Sequence, residues 1–192
     1  MTKNRLESFS DGVIAIIITI MVLELRVPHG STFGVLRPLL PVFLTYILSF
    51  IYLAIYWNNH HHMLHTVHRV NGRILWANTH LLFWLSLVPF ATGWMGENHF
   101  ASEPTAVYGF VLLMAAIAYT ILQAEIVKHH GPDSLLATAV GRDWKAKLSL
   151  LAYLAAIPLA FVEQWVSDGI YAVVAAMWLV PDKRIEKRLD EH

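Results

Sequence analysis

Residues 5–25 read RLESFSDGVIAIIITIMVLEL. A cation, a Phe-Ser-Asp-Gly stretch and a nearly unbroken apolar run are fused into one segment. From Phe9 to Leu25 a helix would rise ~26 Å at ~1.5 Å per residue, close to the ~30 Å hydrocarbon core of a bilayer. Asp11 then falls inside or at the edge of that core, where an ionisable group is costly and tends to mark function. Residue physics favours Ser10 or Asp11 as the N-cap of a helix starting at Gly12. Leu6, Phe9 and Val13 stand at helical spacing and argue for an earlier start.

Composition names the solvent. Of 192 residues, 56% are hydrophobic and 15% charged, against about 25% charged in soluble domains. An all-α integral membrane protein is expected. With no cysteine, disulfides and thiolate metal sites drop out. A net charge of zero removes the overall basicity from which nucleic-acid binding would be inferred. The first apolar run is long and carries no small-residue cleavage site, so it reads as a span and not as a cleavable signal.

The pattern predicts six spans, at about 9–26, 34–57, 71–95, 105–127, 145–163 and 165–181, in one domain over 1–192. Pro38 and Pro41 fall in the first turns of the second span, where a missing N–H is harmless. Pro89 and Pro158 lie inside the third and fifth, predicting kinks. The last two spans are short, with a turn at Val162-Glu163-Gln164-Trp165. No soluble domain fits in what remains.

Charge orients these spans. Lys3 and Arg5 precede the first, Arg69 and Arg73 join the second to the third, and Lys128, Arg142, Lys145 and Lys147 join the fourth to the fifth. Lys183, Arg184, Lys187 and Arg188 follow the sixth. The other side carries Arg26 and Arg37, and otherwise Glu24, Glu97, Glu103, Glu163 and Asp168. Lys and Arg concentrate in cytoplasmic loops, so both termini should be cytoplasmic. Trp57, Trp76, Trp94, Trp144 and Trp165 fall near span ends, as an interfacial belt requires.

Within the first span, Ile16, Thr19, Ile20 and Leu23 stand at i, i+3, i+4 and i+7 and share one narrow face. An all-apolar helix has such a stripe on every side, and lipid contact or packing explains most of them. Thr19 separates this stripe from the rest, being the only polar residue between Gly12 and Leu23. Its hydroxyl wants a partner or water, although bonding back to its own helix can satisfy it.

Arg5-x-x-x-Phe9-Ser10-Asp11-Gly12, followed by Ala15-Ile16 and Thr19, resembles the signature of the transmembrane protein 175 family of potassium channels. The likeness continues in Tyr56-Trp57-x-x-His60-His61, in Asn78 and in Pro89-Phe90-x-Thr92. It covers essentially the whole chain, at the length of the single-repeat prokaryotic members; the lysosomal animal members carry two repeats. The resemblance implies a homotetramer of six-helix subunits in the prokaryotic cell membrane, passing K+ passively and needing no cofactor. The first helices would line the pore, with Ile16 as its narrowest apolar ring and Ile20 and Leu23 one and two turns outward. Thr19 would set a hydroxyl beside that constriction. Arg5, Phe9, Ser10 and Asp11 would belong to a polar network at the inner helix ends, with Trp57, Asn78 and either His60 or His61 as partners.

Elementary physics agrees with a pore. One six-helix subunit has no interior wide enough for a hydrated ion, so conduction needs several copies about an axis. Isoleucine rings contribute no carbonyl ladder; they gate by dewetting and force an ion to shed water, which costs K+ less than Na+. Dehydration alone or a Thr19 ring could set the preference. Thr105-Ala106-Val107-Tyr108-Gly109 has the composition of a carbonyl filter in the wrong order, and no span repeats Arg or Lys every third residue as a voltage sensor would.

The histidines compete for attention. His60, His61, His62, His65 and His68 lie between the second and third predicted spans, and His61 and His65 are spaced i, i+4. With His129 or His130 they would suggest a metal site. A polar loop, or one histidine serving Asp11, is the better account, and no metal ligands are assigned. A histidine-linked metal or cation secondary transporter is the alternative function; it would want buried carboxylates in several spans, and only Asp11 qualifies. An enzyme is rejected, since Asp11 and His61 come without a nucleophile, oxyanion donors or a metal cage. A scaffold would leave the cluster from Arg5 to Asp11 unmotivated.

Overall fold

The computed structural model describes residues 2–140 and 144–179, and every described element is helical. The elements are α1 (Lys3–Ile20), a 3-10 turn (Met21–Glu24), a second 3-10 segment (Phe33–Leu39), α2 (Leu40–His65), α3 (Gly72–Ser86), α4 (Val88–Glu97), α5 (Ser102–His130), a short α6 (Leu135–Val140), α7 (Trp144–Leu159) and α8 (Gln164–Leu179).

Four of these runs are long and apolar enough to cross a bilayer: Lys3–Glu24, Phe33–His65, Gly72–Glu97 and Ser102–His130. They overlap the first four predicted spans, the largest differences being the earlier start of the first and the later end of the second. α7 and α8, at 16 residues each, are about 24 Å long at ~1.5 Å per residue. The predicted end of the sixth span, 180–181, lies outside the described residues. So do Arg142, Lys183, Arg184, Lys187 and Arg188, on which part of the charge asymmetry rests.

Three boundaries correct the sequence expectations. First, α1 begins at Lys3, with Thr2 at its N-cap. Ser10 and Asp11 therefore lie mid-helix and do not cap it. The spacing of Leu6 and Val13 outweighs the capping preference, because Leu6, Ile14, Ile17 and Met21 bury one continuous stripe of the helix. Second, α2 runs through the histidines to His65, so His60, His61, His62 and His65 are helical positions, not loop. Third, α7 stops at Leu159, one residue beyond Pro158, where a kinked helix to 163 was expected. Pro89 behaves as expected: the third span breaks at Leu87 and restarts as α4, with the proline in its first turn.

α5 is the central post. It packs against α3, α4, α7 and α8, while α1 lies against α2, α3 and α4. Small residues let these helices approach, as membrane interfaces require. A side chain on Gly96 of α4 would meet the Val42 backbone of α2 at 2.7 Å, and one on Gly109 of α5 would collide with the Tyr171 ring of α8. Between them runs a buried polar seam. The hydroxyls of Tyr108, Ser49 and Thr92 lie 3.0 and 2.6 Å apart in a row that ends on the Val88 carbonyl, 2.7 Å from Thr92. Tyr153 donates to the Tyr52 hydroxyl at 3.2 Å, and Tyr52 donates to the Tyr171 carbonyl at 2.6 Å. No buried hydroxyl in this seam is left bare, as hydrocarbon surroundings demand.

Candidate functional site: the two faces of the first helix

α1 turns two unlike faces to its surroundings. The inner face buries Leu6, Ser10, Ile14, Ile17 and Met21. Its one polar member, Ser10, is completely enclosed and starts a chain across three helices. The Ser10 hydroxyl donates to the Leu6 carbonyl at 2.9 Å and accepts from Asn78 Nδ2 at 2.9 Å. Asn78 Oδ1 in turn lies 2.7 Å from His60 Nε2. Because that amide oxygen can only accept, His60 must donate from Nε2, and its Nδ1 carries a lone pair. Nδ1 is buried and has no partner among the described residues. The chain His60→Asn78→Ser10→Leu6 thus has one direction and fastens α2 and α3 to α1.

One residue on from Ser10, Asp11 Oδ1 accepts a hydrogen bond from Trp57 Nε1 at 3.0 Å. Nearer the helix start, Lys3 Nζ donates to the His65 carbonyl at 3.1 Å. Between these, Glu7 Oε1 lies 3.6 Å from His61 Nδ1 and 3.8 Å from His65 Nε2. Positions 3, 7 and 11 of α1 therefore face positions 65, 61 and 57 of α2. This is an antiparallel ladder stepping four residues on each helix, as neighbouring helix faces do.

The structure sorts the expected network residues accordingly. His60, not His61, joins the Ser10–Asn78 chain; adjacent helical residues point about 100° apart, so only one of them can face α3. His61 stacks on Trp57, with ring centroids 6.0 Å apart, and faces Glu7. Arg5 is exposed and forms no ion pair with Asp11 among the described residues. Six residues along one helix separate two side chains by about 120° around the axis, too far to meet. Phe9 is likewise exposed, at 54%. His129 and His130 join no metal cluster with the α2 histidines. His130 Nδ1 lies 3.0 Å from the Ile126 carbonyl, and Nε2 accepts from the main-chain N–H of His68 at 3.1 Å, while Asn71 engages His129.

The outer face carries Arg5, Phe9, Gly12, Ile16, Thr19, Ile20 and Leu23, all exposed. Ile16 is 61% exposed and Leu23 75%, values far from those of core residues. The Thr19 hydroxyl donates back to its own helix, 2.9 Å from the Ala15 carbonyl and 3.0 Å from that of Ile16. Its proton is therefore used, and its oxygen lone pairs still face outward. What sequence reasoning missed is Glu7 and the ladder. The signal was present as a charged or polar residue every fourth position on both segments, but it was hidden by treating the histidines as a loop.

Comparisons with known proteins fall on this same geometry. The family model described as endosomal/lysosomal potassium channel TMEM175 matches residues 5–89, a stretch that includes Ser10, Asp11, Trp57, His60 and Asn78. The chain is 57% identical over 192 residues to a potassium channel of Chryseobacterium sp. (strain P1-3), covering 100% of both. It is 33% identical over 190 residues to a potassium channel of Chamaesiphon minutus (strain ATCC 27169 / PCC 6605), covering 90% of this chain and 91% of that one. Its backbone superposes with a TM-score of 0.79 on the crystal structure of a lysosomal potassium-selective channel TMEM175 homolog from Chamaesiphon minutus, at 29% identity over 94% of this chain and 97% of that one. Alike from end to end to one relative, and in backbone to a solved homologue, the chain belongs to the TMEM175 family.

Proposed function

We propose that this chain is a potassium-selective channel of the prokaryotic cell membrane. It works as a homotetramer of six-helix subunits, each a single domain with α7 and α8 as its last two spans and both termini cytoplasmic. α1 lines the pore, Ile16 forms the tightest ring, and Ile20 and Leu23 follow it outward. K+ passes down its gradient with no cofactor.

One observation carries the proposal: α1 is anchored through a buried, apolar face with Ser10 as its one polar tie, and leaves Ile16, Thr19, Ile20 and Leu23 exposed on the opposite side. Four copies of that face about an axis would enclose a narrow apolar throat. There water is held weakly and an ion must give up part of its shell, a step costing K+ less than Na+. The Thr19 oxygens, with their protons committed to the helix, would offer acceptor lone pairs to the dehydrating cation beside the ring. The Ser10–Asn78–His60 chain and the Asp11–Trp57 bond hold the inner part of the helix at a fixed angle, so the rings stay in register. Arg5, outside this chain, would face a neighbouring subunit or the aqueous mouth.

Ion flux tests the assignment. Purified protein in vesicles with a K+ gradient should dissipate that gradient without a coupled ion. Ile16→Asn should keep water in the throat, raise open probability and move the bi-ionic K+/Na+ reversal potential toward zero. Unchanged reversal potential and open probability in both Ile16→Asn and Ile16→Ala would remove α1 from the pore.

A further inference from the structure

We propose that Glu7, His61 and His65 form a regulatory binding site for a divalent cation of the zinc class at the cytoplasmic seam between α1 and α2. One oxygen or nitrogen from each residue lies within 4.8 Å of the other two, with Glu7 Oε1 at 3.6 Å from His61 Nδ1 and 3.8 Å from His65 Nε2. Ligand atoms bound at ~2.0–2.2 Å around a tetrahedral ion stand roughly 3.3–3.5 Å apart, so the two Glu7 contacts need to close by only a few tenths of an ångström, with the two histidine nitrogens drawn together from within 4.8 Å of each other. Two imidazoles with one carboxylate suit Zn2+ and its borderline neighbours, and a poor fit to Ca2+ or Mg2+ follows from the nitrogen donors. Three protein ligands leave a fourth position for water.

The helices supply the preorganisation. His61 and His65 are one turn apart on α2, with ring centroids 4.4 Å apart. The Trp57 ring stacked on His61 limits its rotation. Glu7 is held opposite them by the rungs on either side, Lys3 on the His65 carbonyl and Asp11 on Trp57. The side chains remain accessible, at 20% for Glu7, 37% for His61 and 47% for His65, so an ion can enter from the aqueous side.

A bound ion would replace loose 3.6–3.8 Å contacts with coordinate bonds and lock the first turns of α1 to the last turns of α2. Resting on the channel reading, the consequence is that a helix clamped at its base moves less, and K+ flux falls when the ion binds. The binding itself does not depend on that reading.

Two readouts separate the claims. Tag-free protein in detergent is titrated with Zn2+ by calorimetry, and with Co2+ by its visible d–d absorption. About one site per subunit is expected, with affinity falling ~10-fold or more in Glu7→Gln and in His65→Ala, and largely restored in His65→Cys, whose thiolate replaces the imidazole. Unaltered His68→Ala should report the background of other histidines. Absence of binding in the parent protein, or binding that survives both Glu7→Gln and His65→Ala, overturns the site. In vesicles, Zn2+ on the ladder side should reduce K+ flux relative to each protein's own metal-free rate, and less so in His65→Ala. Binding lost in the variants without any change in Zn2+ sensitivity of flux overturns the regulatory role. Metal binding intact in a protein that passes no K+ would instead overturn the channel reading and leave the site standing.

Discussion

α1 and α5 have equal mean hydropathy over their most apolar windows, yet 28% of the α1 window is buried inside the subunit and 56% of the α5 window. The difference lies in what each helix does with its small and polar residues. α5 spends Ala106, Gly109, Ala115 and Ala118 on close approach to other helices. Its Tyr108 hydroxyl and Thr105 carbonyl sit in the closed hydroxyl seam. α1 sinks one serine into the subunit and leaves Gly12, Ile16 and Thr19 outside. Hydropathy identifies the solvent a helix prefers; it does not say whether that helix faces lipid, a neighbouring helix or a second subunit. The arrangement of a few non-apolar side chains does.

A matched pair of substitutions tests this contrast most severely. Gly109→Leu in α5 drives a side chain into the Tyr171 ring, whereas a side chain on Gly12 of α1 meets nothing within 4 Å. Overpacking of a filled interior costs about 1–3 kcal/mol and more where backbones must part. Gly109→Leu should therefore lower the thermal midpoint by many degrees or abolish the folded yield. Gly12→Leu should keep subunit stability, and even gain from better helix propensity, while changing assembly or conduction. Equal loss of stability in both, measured by fluorescence-detected size exclusion on heated samples, would mean the exposed face of α1 is packed after all.

The polar anchor comes next in size. Asn78→Ala removes the amide that both accepts from His60 and donates to Ser10; the enclosed His60 Nε2–H is left bare at about 1–3 kcal/mol, while the Ser10 hydroxyl keeps its bond to the Leu6 carbonyl. Ile16→Ala, on the exposed face, should change stability by under ~0.5 kcal/mol. Thermal unfolding of the two variants side by side checks the order. A smaller shift for Asn78→Ala would show that water repairs the chain and that it does not fasten α1.

Much of this was legible in the sequence, and the parts that were not fail for identifiable reasons. The first four spans follow from long apolar runs, whose length the bilayer sets. Ser10, Asp11, Trp57 and Asn78 could be named as network members only through the family resemblance carried by their motifs, and hydrogen bonds join Ser10 to Asn78 and Asp11 to Trp57. Which histidine joined them could not, since His60 and His61 differ only by one helical step and the helix carrying them was taken to end at Trp57. That same early ending hid Glu7, whose partners lie beyond it. Arg5 and Asp11 do not pair, for a reason the spacing already carries: residues six apart on a helix do not face each other. The tyrosine seam of Tyr52, Tyr108, Tyr153 and Tyr171 was invisible because it is assembled from four helices, none of which signals it alone.

The smallest effect on stability and the sharpest on function belongs to Thr19→Val. The two side chains are nearly isosteric, and the hydroxyl is exposed and bonded only to carbonyls of its own helix. Those carbonyls keep their main-chain bonds when it is removed, so the thermal midpoint should stay within about 0.5 kcal/mol of the parent in free-energy terms. The ion meets a different surface. In the proposed tetramer Thr19 would set four outward oxygens beside the Ile16 ring; valine would offer none, and the water an ion sheds there would go uncompensated. If the hydroxyls share in selection, Thr19→Val should lower K+ conductance and shift the bi-ionic reversal potential toward zero, because the partial shell that favours the larger ion has been lost. If shedding water at Ile16 suffices, conductance falls and the reversal potential stays put. Recording both quantities from the same planar bilayers therefore separates an apolar ring acting alone from one assisted by acceptors. It does so with a substitution whose silence in thermal unfolding certifies that only the outer face of α1 was changed.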